Sequence, residues 1–224
     1  MDLTRSLDIY CERLGPGYWA EPLNAVTNAA FLIAAVVMWR RTAGLPLGRL
    51  LSAILAAIGV GSYLWHTHGQ VWAVILDSGS IAVFSLVFLF AANRDFLGLR
   101  PLAALGLTLL YFPYAALTGA LFGALPFFAI SAEYWGLPLL MAVYAVVLRR
   151  RHPATAKGLW AAAALLCLSL TFRSLDTPLC PLLPVGTHFL WHLLNGLLLG
   201  GMIELYRRHV LAARGPVAVA GAGR

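Results

Sequence analysis

Long apolar runs alternate along this chain with short polar connections that carry most of its arginines. A run of roughly 17–25 apolar residues is long enough to cross a bilayer as a helix. By that measure the pattern predicts helices near 22–39, 47–67, 71–92, 101–118, 132–149, 157–174 and 186–206. The stretch 119–131, alanine-rich with Gly123 and Pro126, is too short to cross alone and reads as a loop or re-entrant turn. Gly215–Arg224 shows no periodicity. The expected fold class is therefore all-α, an integral membrane bundle of seven transmembrane helices. It divides into an outer-side N-terminal segment (1–21), the helical domain (22–206) and a disordered cytoplasmic tail (207–224).

Composition agrees with this pattern. Hydrophobic residues make up 61% of the 224 positions and charged residues 11%, against about 25% charged in ordinary soluble domains. A water-soluble fold of this size could not hide so much apolar surface. The net charge of +7 then calls for a membrane explanation, and no nucleic-acid partner is expected. The first twenty residues hold Asp2, Asp8, Glu12 and a Gly-Pro-Gly turn where a secretory leader would need an apolar core.

The basic residues set an orientation. Thirteen of them, from Arg40 to Arg224, fall in one set of connections, while Arg5, Arg13 and Arg173 fall in the other. The positive-inside rule places the thirteen in the cytoplasm, with the N-terminus outside and the C-terminus inside. All basic residues but Lys157 are arginine, a bias that suggests a bacterial gene and hence a bacterial inner membrane. His152 and His209, in the arginine-rich connections, are expected to meet lipid head groups.

Ionisable groups inside spanning segments cost at least about 2.5–3.5 kcal/mol each near a helix centre, so each needs a reason. Here they gather. His66 ends the second predicted helix, Asp77 lies early in the third, and His188 and His192 open the last. In the predicted topology all four sit toward one leaflet. His188 and His192 are four apart and project from one helix face, and Ser62 stands one turn below His66. The short turn around Gly69 and Gln70 makes a hairpin that lets Asp77 face His66. A lone intramembrane histidine is usually a packing residue. Three at one depth with an acid and a serine point instead to a metal, and three histidines plus one water make the open site of a catalytic zinc.

These residues resemble the alkaline ceramidases, within the membrane hydrolase superfamily that also holds the adiponectin and progestin receptors. The resemblance runs through Gly61-Ser62-x-x-x-His66, Asp77, and His188-Phe-Leu-Trp191-His192. It continues at the N-terminus in Tyr10-Cys11-Glu12, Ala20-Glu21-Pro22-Leu23-Asn24 and Thr27-Asn28, and before the last helix in Asp176-x-x-x-Cys180. It implies zinc-dependent hydrolysis of the amide bond of a ceramide-like lipid drawn from the bilayer, giving a fatty acid and a long-chain base. Zinc would be held by His66, His188 and His192. Asp77 would act as the general base and Ser62 would donate to the developing oxyanion. The resemblance also implies a Cys11–Cys180 disulfide and a calcium site drawing on Asp8, Glu12 and Glu21. The family has Asp-Trp where this chain has Ile9-Tyr10, and Asn where it has Leu14; Asp8 stands one place off. Two other functions fit the same pattern: a receptor-like or regulatory protein with a structural zinc, and a sibling hydrolase of another acyl lipid.

Overall fold

The computed structural model describes residues 2–214. Among them all regular structure is helical, and the single extended pairing is an isolated bridge between Ser6 and Gln70. α1 (Pro22–Thr27) and α2 (Ala29–Arg41) together make one rod, followed by α3 (Pro46–His68) and α4 (Val71–Ala91), which ends in a π-helical turn, Ala92–Phe96. α5 (Pro101–Leu109) and α6 (Tyr111–Gly123) form a second interrupted rod. α7 (Pro126–Ala129), α8 (Ala132–Leu148), α9 (Pro153–Leu179) and α10 (His188–Arg214) complete the chain.

Local chemistry sets these boundaries. Pro22, Pro46, Pro101, Pro126 and Pro153 each stand in the first helical turn, where a missing N–H costs nothing. The break between α5 and α6 falls at Leu110, beside Leu109, whose carbonyl would receive the N–H that Pro113 lacks. Gly69 ends α3 in the left-handed conformation, φ 59°, and its N–H donates to the Trp65 carbonyl at 2.8 Å.

Six rods are long and apolar enough to cross a membrane: Pro22–Arg41, Pro46–His68, Val71–Phe96, Pro101–Gly123, Pro153–Leu179 and His188–Arg214. That makes a multi-pass architecture. In the place of the expected seventh span stands α8, a shorter apolar helix of 17 residues. The bundle's outer faces carry bare aliphatics such as Leu102, Leu117 and Leu197, 84%, 71% and 65% exposed, as suits lipid in place of water. Its core is built from Phe31, Leu51, Leu55, Ile58, Phe84, Leu170 and Ile203.

The structure corrects three sequence expectations. Residues 119–123 continue α6, and Pro126–Ala129 adds a helical turn, so most of 119–131 is helix and not loop. Residues 207–214 belong to α10, not to a disordered tail; 215–224 lie outside the described residues. Glu204 keeps the end of α10 regular, accepting from Arg207 and Arg208 and, across to α2, from Arg41. His209 is buried rather than turned to head groups, with Nδ1 2.8 Å from the Thr155 hydroxyl.

The N-terminal segment is an ordered arm. It crosses the α3–α4 turn, where Leu7 N–H donates to the Gly69 carbonyl at 2.7 Å and Val71 N–H to the Arg5 carbonyl at 3.1 Å. A Cys11–Cys180 disulfide joins it to the far end of α9. Cys167 is a free, half-buried cysteine within α9.

Candidate metal site

At the end of the bundle beneath this arm, α3 contributes His66 and α10 contributes His188 and His192. Their potential ligand atoms lie within 4.8 Å of one another, and they form the one metal-competent group of three or more such residues among those described. All three are buried, at 0–2% exposure. His66 Nε2, His192 Nε2 and His188 Nδ1 have no hydrogen-bond partner among the described residues. A buried polar atom without a partner costs roughly 1–3 kcal/mol, so three in one place call for a ligand.

The partners of the other ring nitrogens fix the tautomers. His66 Nδ1 lies 2.5 Å from a Glu21 carboxylate oxygen. An ionised carboxylate only accepts, so Nδ1 carries the proton and Nε2 keeps its lone pair. His192 Nδ1 lies 2.9 Å from the Thr27 hydroxyl, which itself donates to the Leu23 carbonyl at 2.8 Å. That hydroxyl has its proton committed, so His192 Nδ1 is the donor and Nε2 is again free. Ring nitrogens oriented in this way by a carboxylate and a hydroxyl are characteristic of metal-ligating histidines. The set fits a metal that prefers imidazole, as zinc does.

Ser62 is buried one turn from His66 on α3, and Asp77 lies on α4 across the hairpin. Asp77 Oδ1 is buried without a partner. The hairpin is tight because Gly61 meets α4 directly: a Cβ there would stand 3.2 Å from the Leu76 carbonyl carbon. A small residue is what lets α3 approach the α4 backbone at Leu76 and Asp77.

The backbone at the mouth of α10 is held by Asp176. Its carboxylate accepts from the N–H groups of Cys11 (3.0 Å), Thr187 (2.7 Å) and His188 (2.9 Å). Sequence reading gave Asp176 only as part of a motif and missed this role. It also missed Arg173, counted there as a surface charge. The Arg173 guanidinium donates to the Ser131 hydroxyl at 2.8 Å and lies over the Tyr134 and Trp191 rings at 5.4 and 5.5 Å. A count of charges on each side could not reveal that inward turn.

The acids expected to hold calcium do not converge. Asp8 is exposed. Both Glu12 oxygens accept backbone N–H groups at the start of α1, from Leu23 (2.6 Å) and Asn24 (2.8 Å). Glu21 is shared among Arg13, Asn24 and His66. Burial raises both carboxyls above their ordinary pKa, opposed for Glu12 by those two N–H donors and for Glu21 by the Arg13 charge. Calcium takes 6–8 oxygen ligands, and this arrangement does not supply them.

An apolar cleft adjoins the histidines. Phe31, Ile58, Phe84, Tyr134, Trp191 and Met202 line it, around a cavity volume of about 90 Å³. Trp191 lies between the two α10 histidines in sequence, and the Phe31 ring is 6.2 Å from that of His192, so the cleft begins beside the site. No family model matches this chain, and no curated protein does.

Proposed function

We propose that the chain is a seven-span membrane amidase that uses zinc held by His66, His188 and His192 to hydrolyse the N-acyl bond of ceramide or a ceramide-like lipid. The observation that carries this reading is the set of three unpartnered buried imidazole nitrogens, with a serine one turn from His66 and an aspartate across the α3–α4 hairpin. A structural metal would need neither Ser62 nor Asp77.

Zinc in a three-histidine site supplies a Lewis acid and an activated water. Asp77, with one oxygen free, would take a proton from the attacking water and return it to the departing amine. Ser62 donates a hydrogen bond to the carbonyl oxygen as charge develops there. Water is thus added across the C–N bond, leaving a carboxylic acid and a long-chain amine. The neighbouring cleft suits a hydrocarbon chain, because its wall is almost wholly apolar. The choice of an amide lipid rests on the resemblance to alkaline ceramidases.

α8 serves as the seventh span. Its 17 residues reach about 26 Å at the α-helical rise, close to the roughly 30 Å of a hydrocarbon core. The arginine distribution puts the N-terminus outside, and the disulfide agrees, because such bonds persist on the oxidising side. The bacterial inner membrane fits both.

The test is metal analysis and lipid turnover on detergent-purified protein. Wild type is expected to carry about one zinc per chain, as a single catalytic site requires, and to release fatty acid from an N-acyl sphingoid base. Asp77→Asn is expected to keep the zinc and lose turnover by about 10²–10⁴-fold. Zinc without hydrolysis of any amide or ester would leave the regulatory reading. Cleavage of esters alone would make the chain a sibling hydrolase.

A further inference from the structure

We propose that Arg13 is a built-in cation of this site: its guanidinium stands where a divalent ion would, against Glu21, and positions His66 without calcium. The inference rests on the reading of His66 as a zinc ligand.

Arg13 is 7% exposed, rare for an arginine unless it is paired. Its Nε donates to one Glu21 oxygen, and the other Glu21 oxygen takes the His66 Nδ1 proton. Its Nη2 donates to the main-chain carbonyl of His66 at 3.0 Å. Arg13 therefore holds His66 at both ends, the backbone directly and the ring through Glu21. Nη1 donates to the Gly15 carbonyl at 3.3 Å, so each nitrogen of the fork has an acceptor.

The fold makes room for this group. A Cβ on Gly69 would lie 2.6 Å from the Arg13 guanidinium carbon, so the glycine that ends α3 also gives the cation its space. The remaining surroundings offer no oxygen shell. Leu14 is 92% exposed and Ile9 39%, Asp8 is exposed, and Glu12 is committed to backbone N–H groups. An isolated Glu21 would be a buried, uncompensated charge. Arg13 supplies the compensating charge from within the chain, so no ion from solution is needed.

The experiment measures zinc affinity, by competition with a chromophoric chelator, and thermal unfolding of the full chain in detergent. Wild type is compared in millimolar CaCl2 and in buffer stripped of calcium on a chelating resin before zinc is added, beside Arg13→Ala and Arg13→Lys. Wild type is expected to show the same melting temperature and zinc affinity in both buffers. Arg13→Ala should bind zinc about 10–100-fold more weakly, the usual effect of removing an outer partner of a ligand. Millimolar guanidinium should restore part of that loss where sodium does not. Arg13→Lys, which keeps the charge, should lie between the two and serves if the alanine variant fails to fold. Stabilisation of wild type by calcium would overturn the inference, as would wild-type zinc affinity in Arg13→Ala. A wild type that binds no zinc would instead sink the zinc reading, and the calcium comparison would still decide whether Arg13 occupies a cation's place.

Discussion

The Tyr10 ring lies against the His188 imidazole, with centroids 3.7 Å apart and planes 20° from parallel. Tyr10 comes from the N-terminal arm and His188 from the start of the last helix, so the arm forms one wall of the metal site. The stack sets the plane of His188, whereas His66 and His192 are set by hydrogen bonds. Tyr10→Ala should weaken zinc binding by about tenfold or more and lower the melting temperature, while Tyr10→Phe keeps both. Chelator competition on the three proteins checks this. Equal zinc affinity in the alanine variant would reduce Tyr10 to packing.

Thr27 supplies the acceptor for His192 Nδ1. Thr27→Val keeps the volume and removes the hydroxyl, so the ring loses its tautomer control. Zinc affinity should fall about 10–100-fold with helix content unchanged by circular dichroism. A valine variant that matched wild type would mean that helix packing alone orients the ring.

Removing the metal should cost stability, because the three nitrogens then lack a partner. A site-bound ion stabilises by about 4 kcal/mol when present at a thousandfold excess over its Kd. Melting temperature should therefore drop in EDTA and recover on adding zinc, but not magnesium. A melt indifferent to chelation would remove the metal from the account.

Asp176 and the disulfide fasten the same corner. Asp176→Ala leaves the Cys11, Thr187 and His188 N–H groups without their acceptor and should destabilise by roughly 2–4 kcal/mol. Cys180→Ser opens the covalent tie between residues 169 apart in sequence and should cost about 2–5 kcal/mol. Differential scanning of each variant reads the shift. Unchanged melting in both would show that the arm is held by other contacts.

Residues within one element, or joined by a short turn, were the legible part of this site. His188 and His192 share a helix face by spacing alone, and Ser62, His66 and Asp77 belong to one hairpin. Glu21 was visible as an acid, but its contact with His66 depends on how α1 packs beside α3, which no local pattern encodes. Arg13 and Arg173 looked like outer-side charges because counting ignores direction; both turn inward. The helical boundaries show the same limit. Gly123 and Pro126 read as breakers, yet Gly123 still belongs to α6 and Pro126 opens a helical turn, and Arg207 and Arg208 read as the start of a tail although Glu204 pairs with both.

The metal site draws its ligands from the second long rod and from the last one. A ribosome adding about 5–20 residues per second delivers His188 on the order of ten seconds after His66. Through that interval His66 has its outer partners, already synthesised, but no neighbours with which to share an ion. The cysteine that fastens the arm also arrives late, just ahead of α10. Under the zinc reading proposed above, metal loading closes biogenesis, and a chain stalled before its final helix is an apolar bundle with an incomplete histidine set.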